Sequence, residues 1–359
     1  MHDYTDCCVL LARLLSERSV EVASPEAHLK NMMLLNRDLG KRLRQHYYGS
    51  ETAPKSVFAH CKTHVEVFNQ KQTIEVAIQR MLHRFGCAIS EQGKPLLSTQ
   101  GRFDLPVLTQ HILKHNEPDK LTFVSFITYN SFVVVNEWYN KGVEIPALGR
   151  KRIRPMYQVW SPTFQDYINM LAAYLAAEPL SGQALDIGSG TGVLAFLLAQ
   201  KGLSVTALDN HADSVECTRL NAANLGFQVQ VIQGDIVEPP DLPRYNVITC
   251  NPPWLPTTLE GRGMLLPGLF DENERMLKGC IRFAGSHLLP EGRLLLIYSD
   301  LAGLIGLHAA DRIEQLSALN GLRVHAVERR RNNRPIDSAD PFSRLKESSH
   351  FLLYDIRLS

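Results

Sequence analysis

The sequence has no long apolar run, no CxxC pair among its seven cysteines and almost no net charge. A membrane-spanning helix needs about 20 consecutive apolar residues, so we expect no integral membrane protein. The formal net charge of +1 creates no global field toward nucleic acid or anionic lipid, and any such binding must come from local patches. An odd number of cysteines without paired motifs indicates free thiols in a reducing compartment.

The composition is that of a folded globular protein, with 45% hydrophobic and 21% charged residues. The N-terminal stretch MHDYTDCCVLLARLL carries acids before its apolar part, unlike the basic start of a secretory signal. We therefore expect a cytoplasmic protein. A chain of 359 residues exceeds one ordinary domain of roughly 100 to 200 residues, which predicts two domains.

The character of the chain changes near residue 150. Residues 1–150 mix helical and extended patterns and predict an α+β domain for substrate recognition or another accessory role. Within it, the segment 121–135 (LTFVSFITYNSFVVV) is too rich in aromatic and β-branched residues to predict a good helix. The other candidate elements of this part are helices over 7–17, 26–48 and 56–84.

Residues 151–359 show a regular alternation of short apolar strands and helices, which is typical of a parallel α/β sheet. Two further extended segments, 323–329 and 351–358, predict an antiparallel hairpin added to that sheet. The resulting fold class is α/β, with a mostly parallel sheet of seven strands and a C-terminal antiparallel hairpin. The five other predicted strands cover 183–187, 204–208, 229–233, 245–250 and 292–299.

A glycine-rich turn, ALDIGSGTG at 184–192, follows the first of these strands and leads directly into a helix. Gly188, Gly190 and Gly192 allow positive φ and a close approach of backbone to a ligand, as in a nucleotide-binding turn. A tight strand-to-helix turn without a ligand is the alternative interpretation.

Three aspartates fall at the ends of neighbouring strands. Asp186 precedes the glycines, Asp209 ends the next strand at the distance where a carboxylate can accept ribose hydroxyls, and Asp235 can accept from an adenine amino group. Any one of them alone could be a helix cap or turn residue. An acid at position 186 would repel a pyrophosphate, which argues against a nicotinamide dinucleotide.

The fourth strand of the alternation ends in NPPW, residues 251–254. The side-chain oxygen of Asn251 and the carbonyl of Pro252 are hydrogen-bond acceptors, and Pro253 restricts the backbone that presents them. Trp254 offers an aromatic face for a planar group. This combination predicts a clamp for a planar –NH2 group, and an edge turn with a packed tryptophan is the alternative.

The order and spacing of DIGSGTG, ALD, QGD and NPPW resemble the class I S-adenosylmethionine-dependent methyltransferases, which have a Rossmann-like fold. The resemblance implies that the first acid and glycine loop hold the methionine part of the cofactor, the second acid its ribose and the third its adenine. It also implies methylation of a planar nitrogen by the NPPW residues Asn251, Pro252, Pro253 and Trp254. The expected cofactor contacts are Asp186, Gly188, Ser189, Gly190, Thr191, Gly192, Asp209, Asn210, Asp235, Ile236 and Asn251.

Several acceptors fit this resemblance: an amino group of a nucleic-acid base, a glutamine side-chain amide, or a small molecule methylated on nitrogen or oxygen. We expect a macromolecule of the translation apparatus, no membrane partner and no metal. A non-catalytic binding module remains a further alternative. The sequence does not indicate an oligomeric state.

Other segments allow two interpretations each. Residues 157–167 (YQVWSPTFQDY) either form a wall of the pocket or cap the next helix. The basic stretches 150–154 and 329–334 either are solvated or contact phosphates. Cys61, His64, His83 and Cys87 can be written as a zinc pattern, but their spacing is unlike a compact finger. His111 and His115, four residues apart, have no acidic partner nearby and carry no prediction.

Overall fold

The computed structural model describes residues 25–48, 58, 60–89, 122–257, 268–332 and 342–359. Within this part of the chain, no helix is long and apolar enough to cross a membrane. The described residues form two compact units, one up to Glu137 and one from Trp138 onward. The predicted helix over 7–17 lies outside the described residues.

The first unit contains two long helices and a two-stranded sheet. Helices α1 (Pro25–Tyr48) and α2 (His64–Leu82) pack through apolar side chains such as Leu39 and Ile78. Strands β1 (Gly86–Ile89) and β2 (Thr122–Ser125) pair antiparallel. Thr63 and Glu66 form a capping box that fixes the first turn of α2.

The prediction that residues 121–135 form no helix was wrong, because helix α3 covers Phe126–Lys141. Phe126, Tyr129 and Phe132 repeat every three residues and are all buried. Burial of this apolar stripe outweighs the weak helix propensity of aromatic and β-branched residues, which amounts to less than about 1 kcal/mol per residue. Propensity alone is therefore misleading here.

The second unit begins earlier than the boundary at residue 150 expected from the sequence. Strands β3 (Val143–Ile145) and β4 (Lys151–Ile153) form an antiparallel hairpin around a short 3-10 turn. Val143, Ile145 and Ile153 are buried in the core of the second unit. Because the apolar side chains of this hairpin complete that core, it folds with the second unit.

The second unit is built on a seven-stranded sheet with helices on both faces. The strands are β5 (Gln183–Ile187), β6 (Ser204–Asp209), β7 (Val229–Gln233), β8 (Tyr245–Cys250), β11 (Leu288–Ser299), β12 (Leu322–Arg331) and β13 (His350–Leu358). Their order across the sheet is β12-β13-β11-β8-β5-β6-β7. Only β13 runs antiparallel to its neighbours, so the sequence prediction of a mostly parallel sheet with a closing antiparallel hairpin is confirmed.

Helices cover the two faces of the sheet in accordance with their apolar stripes. Side chains of α4 (Asp166–Ala177), α5 (Val193–Gln200) and α6 (Ala212–Leu225) pack on one face. Side chains of α7 (Arg275–His287) and α9 (Arg312–Leu319) pack on the other. The remaining short elements are β9 (Leu255–Thr257), β10 (Phe270–Glu272), α8 (Leu301–Ile305) and α10 (Ser343–Ser348).

Candidate active site

The predicted site residues lie at the carboxyl edge of the parallel strands. Asp186 is on β5, Asp209 is the last residue of β6, and Asp235 follows the end of β7 by two residues. Cys250, the last residue of β8, pairs with Ile187, so Asn251 is level with the start of the glycine loop. The carboxyl edge is where open α/β sheets bind ligands, and the fold therefore brings all four side chains to it.

The glycine loop is held by hydrogen bonds from both sides. The N–H groups of Gly188 and Ser189 donate to the carbonyl of Leu208 at 2.8 and 3.1 Å. Thr218 donates its hydroxyl to the carbonyl of Gly190 at 2.9 Å. Gly192 has φ +86°, and a Cβ there would collide with the Phe196 ring, so only glycine fits.

Asp186 is buried within this edge. Its carboxylate accepts from Thr249 Oγ1 at 2.8 Å and from the N–H of Ala195 at 3.1 Å. The pKa of Asp186 is raised to about 7, mainly by burial and to a smaller extent by the nearby charge of Asp209, while the two hydrogen bonds lower it. Thr249 was not predicted, although a threonine inside the apolar strand YNVITC is the signal that could have revealed it.

The raised pKa of Asp186 predicts that stability falls as pH rises from about 4 to about 7. In this window the folded state holds a proton that the unfolded state, with a pKa of 3.8, has lost. The effect reaches at most about 4 kcal/mol for a shift of roughly 3 pKa units. Asp186→Asn should flatten the dependence, which thermal unfolding from pH 4.5 to 7.5 would measure. An equally steep fall in Asp186→Asn would contradict the prediction, and the exposed Asp241→Asn is the control.

Asp209 connects the glycine loop to the second strand. One carboxylate oxygen accepts from the N–H of Gly190 at 3.0 Å and the other from the N–H of His211 at 2.9 Å. Burial raises the pKa of Asp209, although these two hydrogen bonds partly offset it. Neither Asp186 nor Asp209 pairs with a lysine or arginine among the described residues.

Asp235 has a different environment. Its carboxylate accepts from the N–H of Val237 at 2.9 Å and forms an ion pair with Arg275 at 2.7 Å. The adjacent Ile236 is buried, and Asn210 is exposed beyond β6. A carboxylate oxygen has two lone pairs, so the Asp235 side chain can still accept from an amino group.

The NPPW segment contains a contact that the sequence did not reveal. The indole Nε1–H of Trp254 donates to the side-chain oxygen of Asn251 at 2.9 Å. The Trp254 ring also contacts Phe351 at a centroid distance of 5.4 Å and Tyr167, edge to face, at 6.5 Å. Phe351 lies 97 residues beyond Trp254 on β13, and no local sequence signal links the two.

The segment 157–167 passes from the glycine loop to the NPPW segment. A Cβ placed on Gly190 would lie 3.9 Å from Val159, so this side chain faces the glycine loop. Phe164 contacts Phe351 at 4.9 Å, and the hydroxyl oxygen of Ser161 is buried without a hydrogen-bond partner. Helix α4 begins at Asp166 and has no side-chain hydrogen bond at its N-cap, Gln165. These contacts favour the pocket-wall interpretation of this segment.

The other candidate residues are not brought together. Cys61 and His64 lie at the start of α2, whereas His83 caps its far end and hydrogen-bonds Ser125 at 2.8 Å. The described residues contain no group of three side chains that could hold a metal, and the side chain of Cys87 lies outside them, as do His111 and His115. Arg154 and Lys151, from the first basic stretch, donate to backbone carbonyls.

The site suits a ligand that carries positive charge. Two buried carboxylates that pair with no lysine or arginine among the described residues lie beside the glycine loop, which leads toward the side-chain oxygen of Asn251. Such a site attracts an ammonium or sulfonium group and repels a phosphate. The residues present therefore fit S-adenosylmethionine, whose methionine part would lie against Asp186 and the glycine loop and its ribose near Asp209.

Together, the strand order, the glycine loop, the acids that follow successive strands and NPPW have the arrangement that the resemblance to class I S-adenosylmethionine-dependent methyltransferases implies. Comparison with known families agrees with this class, because residues 159–304 match the family model described as methyltransferase small domain.

Curated relatives include enzymes acting on RNA and on a small molecule. The chain is 30% identical over 168 residues to ribosomal RNA small subunit methyltransferase C of Sodalis glossinidius, covering 44% of each chain. It is 30% identical to tRNA1(Val) (adenine(37)-N6)-methyltransferase of Porphyromonas gingivalis, covering 36% of this chain and 55% of that protein. It is 27% identical to ubiquinone biosynthesis O-methyltransferase of Escherichia coli, covering 40% and 52%. The match thus spans about half the length of these relatives.

Proposed function

We propose that this protein transfers the methyl group of S-adenosylmethionine to the amino nitrogen of a base in an RNA of the translation apparatus. The position of Asn251 is the observation that carries the proposal. Its side-chain oxygen is held by the Trp254 indole, level with the start of the glycine loop and next to the buried carboxylates. A hydrogen-bond acceptor for an –NH2 group therefore lies beside the place where the methyl donor would be bound.

The residues of the site act by positioning. The Asn251 oxygen and the Pro252 carbonyl accept hydrogen bonds from a planar –NH2 group and hold its nitrogen in one orientation. S-Adenosylmethionine, when bound, supplies an electrophilic methyl group on a sulfonium. Alignment of the acceptor nitrogen with this methyl, and exclusion of water by the apolar wall around Val159, supply most of the rate acceleration.

A nucleic-acid acceptor is supported by a basic end of strand β12. Its last three residues are Arg329, Arg330 and Arg331, and β12 runs parallel to β11, so these arginines lie at the carboxyl edge of the sheet. Arg330 pairs in register with Phe351, the residue whose ring contacts Trp254. Phosphates of a strand whose base enters the site can reach these guanidinium groups.

Substitution of Arg329 and Arg331 by glutamine is expected to weaken RNA binding several-fold. The magnitude of the slope of log affinity against log salt concentration should fall by up to about 1.4, because each phosphate contact on a single strand contributes about 0.7. Fluorescence anisotropy of a labelled single-stranded RNA at several KCl concentrations would measure this. Arg323→Gln, exposed at the other end of β12, is the matched control. An equal loss in Arg323→Gln would show that net charge alone determines binding.

A small-molecule acceptor is the second candidate, favoured by the similarity to the ubiquinone biosynthesis O-methyltransferase. A hydroxyl group that accepts the methyl has only one hydrogen to donate. The Asn251 oxygen and the Pro252 carbonyl are two hydrogen-bond acceptors, which suit the two hydrogens of an amino group. The hydrogen-bond acceptors of the NPPW segment thus favour methylation of a nitrogen atom. Residues 1–150 are proposed to contribute to substrate recognition, and the protein is proposed to work in the cytoplasm.

The test combines purified protein, methyl-labelled S-adenosylmethionine and a lysate from cells lacking the gene. Label removed by nuclease and retained after protease treatment would support the proposal. Label removed only by protease would indicate a glutamine-type amide in a protein. Label confined to small molecules would favour the second candidate, and absence of S-adenosylhomocysteine binding would overturn the methyltransferase assignment.

A further inference from the structure

The first turn of helix α7 contacts two of the residues that are expected to hold the cofactor. Arg275, the first residue of this helix, forms an ion pair with Asp235 at 2.7 Å. A Cβ placed on Gly188 would collide with the methyl group of Met276, so the Met276 side chain lies against the glycine loop. The start of α7 therefore borders the site from the glycine loop to the acid that is expected to bind adenine.

The backbone that leads into α7 holds a strained conformation. Asn273 and Glu274 have φ values of +54° and +56°, in the left-handed region that side chains other than glycine rarely adopt. Glu274 is buried and forms a two-bond ion pair with Arg312 of helix α9. Asp271, also buried, accepts from two N–H groups of the first helical turn. Such strain persists only where anchors impose it, and these anchors fix the position from which Arg275 reaches the site.

The ion pair of Asp235 and Arg275 leaves hydrogen-bonding groups of both kinds available. One oxygen of Asp235 accepts from the N–H of Val237 at 2.9 Å and the other from Nη2 of Arg275 at 2.7 Å, and each oxygen keeps a further lone pair. The Arg275 side chain is 56% exposed, and the other N–H groups of its guanidinium have no hydrogen-bond partner among the described residues. A fixed acceptor and free donors therefore lie side by side.

An adenine base has the complementary arrangement. Its 6-amino group donates, and the ring nitrogens on either side, N1 and N7, accept. We propose that Arg275 is a specificity-determining residue for the cofactor, which donates to one of these ring nitrogens while Asp235 accepts from the 6-amino group. The planar guanidinium suits such a directed contact. This inference rests on the proposed function, because it takes S-adenosylmethionine as the methyl donor.

Calorimetric titration with S-adenosylhomocysteine and three analogues tests this pairing. S-Inosylhomocysteine has a 6-oxo group in place of the amino group, and the 1-deaza and 7-deaza analogues each lack one ring nitrogen. The wild type should bind S-inosylhomocysteine about 100-fold more weakly than S-adenosylhomocysteine, because the carbonyl would face the Asp235 carboxylate. One of the two deaza analogues should bind about tenfold more weakly, because the Arg275 guanidinium loses its acceptor.

Substitutions of Arg275 identify the donor. Arg275→Met removes the N–H groups and should bind S-adenosylhomocysteine about tenfold more weakly than the wild type, with no further loss for the deaza analogue that the wild type binds poorly. Arg275→Lys keeps the positive charge without the planar fork, and its affinity should lie between those of the wild type and the methionine variant.

Two further variants separate the roles of the ion pair's members. Asp235→Asn has an amide that can donate to a carbonyl, so its preference for S-adenosylhomocysteine over S-inosylhomocysteine should fall. Arg244→Met is the matched control, because Arg244 is exposed just before β8, at the opposite edge of the sheet. This control should bind all four ligands as the wild type does.

A purely structural role of Arg275 would make Arg275→Met bind all four ligands more weakly by the same factor, and this result would overturn the proposal. Equal binding of S-adenosylhomocysteine and both deaza analogues by the wild type would overturn it as well. The two proposals can fail separately. Unchanged analogue preferences in Arg275→Met, with normal methyl transfer, would remove the role of Arg275 alone, whereas absence of S-adenosylhomocysteine binding to the wild type would also overturn the methyltransferase function.

Discussion

Replacement of Asn251 by alanine is expected to lower the rate of methyl transfer by about 100-fold or more and to change S-adenosylhomocysteine affinity little. The substitution removes the side-chain oxygen that accepts from the amino group, and loss of one such positioned group at a reacting centre typically costs 10²- to 10³-fold. The substitution leaves the glycine loop and the carboxylates proposed to face the cofactor unchanged. Single-turnover rates and calorimetric titration with S-adenosylhomocysteine would measure the two quantities.

Two further variants make the Asn251 experiment specific. Asn251→Asp keeps an acceptor oxygen for the amino group and for the Trp254 indole, and should retain more activity than the alanine variant. Asn140→Ala, on an exposed helical position, should leave the rate unchanged. Near wild-type turnover in Asn251→Ala would refute the role given to the NPPW segment.

Replacement of Asp209 by alanine should have its main effect on the cofactor. The carboxylate holds the Gly190 N–H and the His211 N–H, and its loss removes both the proposed ribose contact and the anchor of the loop. Hydrogen bonds to a charged group contribute about 1.5 to 3 kcal/mol each, so S-adenosylhomocysteine should bind about 10- to 100-fold more weakly. Calorimetric titration would measure the affinity.

The matched control for Asp209 is Asp241→Ala, which removes an exposed carboxylate from the same unit. The affinity of Asp209→Asn for S-adenosylhomocysteine should lie between those of the wild type and the alanine variant, because an amide keeps one acceptor oxygen but loses the charge. If Asp209→Ala bound S-adenosylhomocysteine as the wild type does, the ribose would have to be held elsewhere.

The sequence was informative where a local pattern decides the structure. The strands around Asp186 and Asp209, the glycine turn and the position of Asn251 follow from short apolar runs and turn residues that are contiguous in the chain. The hairpin that contains Val143 and Ile145 lies mostly before the predicted boundary at residue 150 and packs into the core of the second unit. Its apolar residues gain stability only from a core formed by segments far along the sequence, which no local pattern shows.

The site shows the same difference between features set by local sequence and features set by long-range packing. Asn251 and Trp254 could be selected from the NPPW motif, but the hydrogen bond between them depends on side-chain rotamers. The packing of Trp254 on Phe351 depends on the register of β13 between β11 and β12. Helix α3 was missed for a related reason, since burial of Tyr129 and its neighbours determined the outcome and not their intrinsic propensity.

The placement of β13 between two strands that precede it in the chain affects how the protein is made. On the ribosome, β11 and β12 are synthesised before β13. The edge with which each of them pairs to β13 has no hydrogen-bonding partner until β13 has been synthesised. Phe351, which supports Trp254, arrives with that strand. A nascent chain that ends before β13 therefore contains the glycine loop but lacks the aromatic support of Trp254, and the proposed reaction centre is complete only after β13 has paired.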